Sequence, residues 1–161
     1  MTTLEVEVAL MRNLDIRKNV IVTNLNGGVV KDMHECDLIV LSPSNYATEI
    51  EIKISKYDIA NEDDKTHGHS HNHIARLYFA VPEELVEIAL EKIPKKAGLI
   101  KVITKHNTLK GTHSHHIRVV RKPQRNPNAV MWTDKERNQL TRLGTMRVLG
   151  LKEKIIKLLN K

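Results

Sequence analysis

The chain has few of the residues that mark disulfide-rich, membrane or aromatic-core proteins. Among 161 residues there are one Trp, three Tyr and one Phe, so the 40% of hydrophobic residues must form a largely aliphatic core. A single cysteine, Cys36, excludes an intrachain disulfide framework and a cysteine-rich zinc finger. The longest pure Leu, Ile and Val runs are about four residues, such as 38–41. This predicts neither a membrane span nor a secretory signal, and favours a cytoplasmic protein.

Acidic residues are scarce in the C-terminal part of the chain. Residues 101–161 contain 15 Lys and Arg against 3 Asp and Glu, a net charge of +12. Residues 1–100 contain 11 against 16, a net charge of −5. A basic segment on an acidic body favours a polyanionic partner such as DNA, because neutralised phosphates release counterions. The alternative is that these charges serve solubility.

Hydrophobic periodicity and capping signals predict one α/β domain with a mixed central sheet and helices on both faces. The predicted elements are a helix at 3–13, strands at 20–23, 36–41 and 46–54, a helix from 55 to about 65, a strand at 76–81, a helix between Pro82 and Pro94, strands at 98–103 and 117–120, and a helix from 133 to about 149 that Gly150 separates from a last short turn. Residues 1–122 form the predicted core, and 123–161 are a basic loop and C-terminal helices packed on it. A Gly27–Gly28 pair is too weak a signal for a phosphate loop.

The predicted third strand alternates strictly between apolar and charged residues over 48–54. Three isoleucines face one way, and Glu49, Glu51 and Lys53 face the other. The simplest interpretation is a half-exposed strand whose charges are solvated and paired. The preceding strand, however, carries Glu35 and Asp37 at alternate positions, and a tight hairpin can bring the two charged faces together.

Carboxylates gathered on one face repel each other unless a hard cation lies between them, and oxygen ligands suit Mg²⁺ or Mn²⁺. A lysine beside that cation can hold a water molecule or help to deprotonate it. The metal lowers the pKa of the water and stabilises the charge that develops on a phosphate. The hairpin is therefore a candidate site for phosphodiester hydrolysis.

The same residues resemble a known family. Asp37, thirteen residues, and then Glu51–Ile52–Lys53 match the core signature of the PD-(D/E)XK nucleases, the restriction-endonuclease-like superfamily. The segments HECDLIVLSPSNYATEIEIKIS, LYFAVPEEL and IPKKAGLI look like small bacterial and phage members, including the MmcB-like DNA repair proteins. The resemblance covers roughly residues 5–105 and implies a restriction-endonuclease-like core, in which a helix, three strands, a helix and a strand follow one another.

The resemblance also implies roles for individual residues. Asp37 and Glu51 would be metal ligands, the backbone carbonyl of Ile52 a third ligand, and Lys53 would position the nucleophilic water. Cys36 stands where the family name has proline. The further acidic candidates are Glu5 or Glu7 from the first helix, Glu35 and Glu49.

The resulting hypothesis is a Mg²⁺- or Mn²⁺-dependent endonuclease that acts on DNA in repair, recombination or phage DNA processing. The alternatives are a non-catalytic nucleic-acid-binding protein with the same fold and a histidine-rich metal-binding module. Many relatives act as dimers, so a homodimer is one form that the resemblance implies. Superfamily membership alone does not determine the substrate or even activity.

Two other groups of residues are candidates for binding. The basic candidates for a nucleic-acid contact are Arg118, Arg121, Lys122, Arg125, Lys135, Arg137, Arg142 and Arg147. Arg118 and Arg121 differ by three positions and cannot share one strand face. Seven of the nine histidines form two groups, His67, His69, His71 and His73, and His113, His115 and His116. They can bind Zn²⁺, Ni²⁺ or Cu²⁺, but two solvated loops or strand ends are favoured. Trp132 is expected to pack beneath the last helix rather than stack on a base.

Overall fold

The computed structural model describes residues 1–25, 28–61, 71–107 and 112–160. The elements are α1 (Thr3–Asn13), β1 (Val20–Leu25), β2 (Cys36–Leu41), β3 (Ala47–Ile52), α2 (Lys56–Ala60), β4 (Ile74–Pro82), a 3₁₀ turn (Glu83–Leu85), α3 (Val86–Lys92), β5 (Gly98–Asn107), β6 (Thr112–Arg121) and α4 (Asp134–Leu159). Asn26, Gly27, His67 and His69 lie outside the described residues.

The six strands form one mixed sheet in the order β1-β2-β3-β4-β5-β6. Among the first three strands, each neighbouring pair is antiparallel. β4 and β5 run parallel to β3, and β6 pairs antiparallel with β5. The two parallel pairs are β3–β4 and β4–β5. The connection within the first pair contains α2 and that within the second contains α3, because parallel neighbours need a crossover connection. The predicted α/β class with a mixed central sheet is confirmed.

Helices pack on both faces of the sheet. On one face, Val6 and Leu10 of α1 pack into a cluster with Leu38 and Ile50. The other face carries two clusters. Trp132 and Leu140 of the C-terminal segment belong to one, together with residues of β1 and β2, and the other joins α2 and α3 to β4 and β5. Paired residues in a sheet share a face, so the pairs Ile39↔Glu49 and Glu51↔Phe79 place both glutamates on the side of α2, α3 and α4.

Local signals explain the start of both long helices. Thr2 and Glu5 form a capping box at α1, and Thr133 and Glu136 form one at α4. Each box satisfies backbone N–H groups that have no partner inside the helix. The predicted bounds of α1, Thr3–Asn13, agree with the structure.

The predicted break at Gly150 is wrong, because α4 is one continuous helix of 26 residues. A glycine costs about 1 kcal/mol in a helix interior, and the good helix formers around it outweigh that cost. The helix predicted from Ser55 is also shorter than expected, since α2 ends at Ala60 with Asn61 as its C-cap. The last two strands, in contrast, are longer than predicted, with ten residues each. They pair with each other along nearly their whole length.

Trp132 is buried beneath α4, as the sequence predicts. Its indole Nε1 donates a 2.8 Å hydrogen bond to the carbonyl of His73, which satisfies the one polar atom of a buried ring. Within the described ranges, no helix combines the length and hydropathy that crossing a bilayer requires. Although α4 is long, charged residues recur along it.

Candidate active site

A groove of about 520 Å³ lies where β2 begins and β3 ends, between the first turn of α1 and the helix α2. Its lining residues are Thr3, Asp37, Glu51, Ile52, Lys53, Ile54, Asp58 and Asn61. The β2–β3 hairpin creates this grouping, because its antiparallel register pairs Leu38 with Ile50 and leaves Asp37 beside the end of β3. All four residues of the sequence signature therefore line one cavity.

Asp37 is anchored to the opposite strand. Its Oδ2 accepts a 2.8 Å hydrogen bond from the backbone N–H of Ile52. The bond sets the orientation of the Asp37 carboxylate relative to β3. It also brings Asp37, a predicted metal ligand, next to Ile52, whose backbone carbonyl is another predicted ligand.

Glu51 and Lys53 are buried, with 4% and 7% of their surface exposed, and Nζ of Lys53 lies 3.6 Å from Oε2 of Glu51. The lysine also lies over the ring of Phe79, 6.0 Å from its centroid. The interpretation of these residues as solvated surface charges is wrong, because α2 and α3 cover this face of the sheet. Burying charges is expensive unless they are paired or bind ions, and the contact between Lys53 and Glu51 pairs these two side chains.

The two acidic candidates of α1 have different surroundings. Burial raises the pKa of Glu7, the negative charge of Asp37 adds to this, and a hydrogen bond from Asn24 opposes it. Glu7 is not among the residues that line the groove. Glu5 instead belongs to the capping box, and hydrogen bonds from Thr2 hold its pKa below the usual range.

The two remaining acidic candidates, like Glu5 and Glu7, do not line the groove. Glu35 precedes β2 and is exposed. Glu49 is fully buried, and its Oε1 lies 2.7 Å from Nε2 of His34. His34 was not among the candidates. The only sequence signal for it was its place in the segment that carries the resemblance, two residues before Cys36.

Sequence reasoning also missed Thr3, Asp58 and Asn61 as lining residues of the groove. Ser55 caps α2 by accepting a 3.1 Å hydrogen bond from the N–H of Asp58, and this cap places the helix beside the end of β3. The Ser55–Asp58 signal was visible in the sequence as a helix start. Its position next to the groove depends on the parallel pairing of β3 with β4.

The basic candidates divide into two sets. Arg121 donates to the carbonyls of Ala97 and Pro94 at 2.8 and 2.9 Å. Arg137 donates to the carbonyl of Ser42 and to Oδ1 of Asn45. Arg147 donates to the carbonyl of Asn24. These guanidinium groups stabilise the fold. The exposed candidates are Arg118, Lys122, Arg125, Lys135 and Arg142, of which Arg125 lies 4.7 Å over the ring of Tyr46.

The described histidines form contacts within the fold. His71 Nε2 lies 3.2 Å from the carbonyl oxygen of Lys31, and His73 Nε2 lies 3.5 Å from Oε1 of Glu136. In the second group, His115 Nδ1 lies 3.1 Å from the hydroxyl of Thr104. Its Nε2 lies 3.8 Å from Glu5. None of these described histidines lines the groove that contains Asp37.

Comparisons with known proteins bear on the fold. No family model matches the chain, and no curated protein matches it. A solved structure described as the SPO1766 protein of unknown function from Silicibacter pomeroyi is similar, with a TM-score of 0.63 and 18% sequence identity. The alignment covers 94% of this chain and 90% of that chain. The two proteins therefore share an architecture over nearly their full lengths.

Proposed function

We propose that the protein is a Mg²⁺- or Mn²⁺-dependent endonuclease that hydrolyses phosphodiester bonds in DNA. The observation that carries this proposal is the grouping of Asp37, Glu51 and Lys53 in one groove by a single hairpin. Two carboxylates and a lysine in one cleft are the groups needed to hold a hard cation and a water molecule. The order helix, three antiparallel strands, helix and parallel strand also agrees with the expected restriction-endonuclease-like core.

The donor set fits a hard divalent cation. The carboxylates of Asp37 and Glu51 and the carbonyl of Ile52 supply oxygen atoms, the ligands that Mg²⁺ and Mn²⁺ prefer. The raised pKa of Glu7 is due in part to Asp37, which indicates that negative charge accumulates here. Asp37 and Glu51 would hold the cation, and Glu7 would add charge from the side of α1.

Each residue of the groove would have its own role in the hydrolysis. When bound, the cation supplies Lewis-acid stabilisation of the developing phosphate charge and lowers the pKa of an attacking water. Lys53 would orient that water and compensate the charge of the phosphate. The pairing of Lys53 with Glu51 keeps the ammonium group in the groove. The hydrogen bond from Ile52 holds the Asp37 carboxylate in place before substrate arrives.

The exposed basic residues support DNA as the substrate. Arg118 and Lys122 lie on and just after β6, and Arg142 lies on α4, all exposed to solvent. Exposed Lys and Arg residues can neutralise phosphates regardless of base sequence. They would hold the duplex while the groove acts on one phosphodiester.

The decisive experiment incubates the protein with closed circular plasmid DNA in Mn²⁺, Mg²⁺ or Ca²⁺. Wild type should nick or linearise the circle with Mn²⁺ or Mg²⁺ and cleave poorly with Ca²⁺, which activates water less well. Asp37→Asn and Glu51→Gln should abolish cleavage while the variants stay folded by circular dichroism. A closed circle has no ends, so any product identifies an endonuclease.

Single-stranded circles and branched DNA in the same assay would define the preferred structure. DNA binding without cleavage of any substrate, unchanged by either substitution, would favour the alternative of a non-catalytic DNA-binding protein with this fold.

A further inference from the structure

Next to the groove, three side chains with different donor atoms converge on one point. The ring nitrogen of His34, the sulfur of Cys36 and a carboxylate oxygen of Glu49 all lie within 4.8 Å of one another. Cys36 and Glu49 are buried, and the side chain of His34 is 20% exposed. The residues that line the Asp37 groove include none of the three.

We propose that His34, Cys36 and Glu49 form a second metal site, selective for a borderline divalent ion such as Zn²⁺. Nitrogen, sulfur and oxygen ligands together are typical of Zn²⁺ and Co²⁺, whereas Mg²⁺ and Ca²⁺ avoid thiolate. The chain would thus separate two metal chemistries. A hard cation would bind the oxygen ligands of the groove, and a softer one would bind this mixed set.

The geometry is close to that of a bound state. Around a tetrahedral Zn²⁺ the ligand atoms lie roughly 3.3 to 3.8 Å apart. Separations of up to 4.8 Å would therefore shorten, and the 2.7 Å contact between His34 and Glu49 would lengthen, each by about 1 Å. The ion would lie between His34 and Glu49, which now make a 2.7 Å contact, and the neutral imidazole would carry its hydrogen on Nδ1 so that Nε2 can bind the metal. On binding, the Cys36 thiol would lose its proton to solvent, so that thiolate and carboxylate together balance the charge of the cation. The partly exposed His34 provides a path of entry, and water would complete the coordination.

The strands connect the two sites. Cys36 immediately precedes Asp37, and Glu49 lies two residues before Glu51 on β3. An ion held by Cys36 and Glu49 would therefore join β2 to β3 at the hairpin that carries the groove. Because such an ion binds the folded state, it should stabilise the protein by linkage, independently of any Mg²⁺ or Mn²⁺.

Co²⁺ titration tests the site directly, because a cobalt–thiolate bond gives a near-ultraviolet charge-transfer band that nitrogen and oxygen ligands do not. Cys36 is the only cysteine, so a band reports this site alone, even if the histidines elsewhere bind Co²⁺. In wild type the band should reach its full intensity at one equivalent of Co²⁺ bound per Cys36 thiolate. Added Zn²⁺ should remove the band by displacing the Co²⁺. Cys36→Ser should lose it. Asp37→Asn, the matched control in the groove, should retain it.

His34→Gln is a second variant that should fold, since the side chain is partly exposed. It should weaken Co²⁺ binding at the thiolate by at least about tenfold. Glu49→Gln should do the same. Absence of the band in wild type at saturating Co²⁺ would overturn the proposal, and so would a band that both variants leave unchanged in affinity. These outcomes do not depend on cleavage. The proposed metal site at His34, Cys36 and Glu49 can therefore be established even if the protein cleaves no DNA.

Discussion

The backbone N–H of Ile52 donates a 2.8 Å hydrogen bond to Oδ2 of Asp37. The bond crosses from β3 to β2 at the point where both strands reach the groove. One carboxylate therefore has two roles, as an acceptor that satisfies a backbone donor and as a proposed metal ligand. The two roles can be separated by substitution.

Asp37→Ala should lower the free energy of unfolding by about 1 to 3 kcal/mol, because the N–H of Ile52 loses its acceptor. Asp37→Asn retains a carbonyl acceptor and should change the stability far less. Both variants should lose Mn²⁺-dependent cleavage. Urea denaturation without divalent ions measures the stability difference. Equal stability of the two variants would show that the hydrogen bond contributes nothing.

Lys53→Ala should separate metal binding from chemistry. Lys53 is proposed to act on the water and not on the cation, so Mn²⁺ should still raise the melting temperature of the variant. Cleavage should fall by about 10²- to 10³-fold, as expected when a group that stabilises developing charge is removed. Lys18→Ala is the control, since Lys18 is exposed and pairs only with nearby Asp15 among the described residues. If Lys53→Ala cleaves like wild type, the lysine has no chemical role.

Glu7→Gln should make the metal-free protein more stable at neutral pH, by under about 1 kcal/mol for a half-buried group. The pKa of Glu7 is raised in the folded state, so its ionisation opposes folding. The advantage of the variant should therefore grow as the pH rises above the ordinary glutamate range and vanish below it.

Glu5→Gln is the matched control for this test. The pKa of Glu5 is lowered, so its charge favours folding above the ordinary range and that contribution is lost on acidification. Thermal unfolding between pH 4 and pH 8 compares the two variants. A Glu7→Gln profile parallel to wild type would mean that the pKa of Glu7 does not differ between the folded and unfolded states. With Mn²⁺ present, the advantage of Glu7→Gln should shrink, because the cation favours the charged residue.

Arg118→Ala combined with Lys122→Ala should flatten the dependence of DNA affinity on salt by up to about two units of log–log slope. Both side chains are exposed and can reach phosphates. Arg121→Ala should instead destabilise the fold, because its guanidinium binds the carbonyls of Ala97 and Pro94. Affinity measured over a range of salt concentrations distinguishes the two effects. An unchanged slope in the double variant would place the DNA elsewhere.

Leu140→Ala should cost about 2 to 5 kcal/mol of stability, because the side chain is fully buried in the cluster beneath α4. The stability of Leu151→Ala should stay within about 0.5 kcal/mol of wild type, since Leu151 is 56% exposed on the same helix.

The Leu151→Ala variant also tests the predicted homodimer. If copies pair through α4, Leu151→Ala should lower the sedimentation mass while the stability of the separate chain stays nearly unchanged.

The sequence by itself determined the parts of the protein that depend on neighbouring residues. Capping signals predicted the start of α1 and of α4, and alternation predicted β3 and the common face of Glu49, Glu51 and Lys53. The apolar run at 38–41 and the turn residues after it predicted β2. Period-2 geometry and a short turn are sufficient for a hairpin, so the convergence of Asp37 on β3 was also predictable. The proposed catalytic roles of these residues stay predictions.

Only the tertiary structure decided which charges are buried and what each contacts. Lys53 and Glu51 are covered because distant helices pack over their face of the sheet, and no local pattern encodes that packing. Arg121 was a candidate for DNA contact until the fold brought the carbonyl of Ala97 to it from 24 residues away. The meeting of His34 and Cys36 with Glu49 likewise requires the β2–β3 pairing. These features arise from contacts between residues far apart in sequence, whose energies exceed the local preferences that a sequence displays.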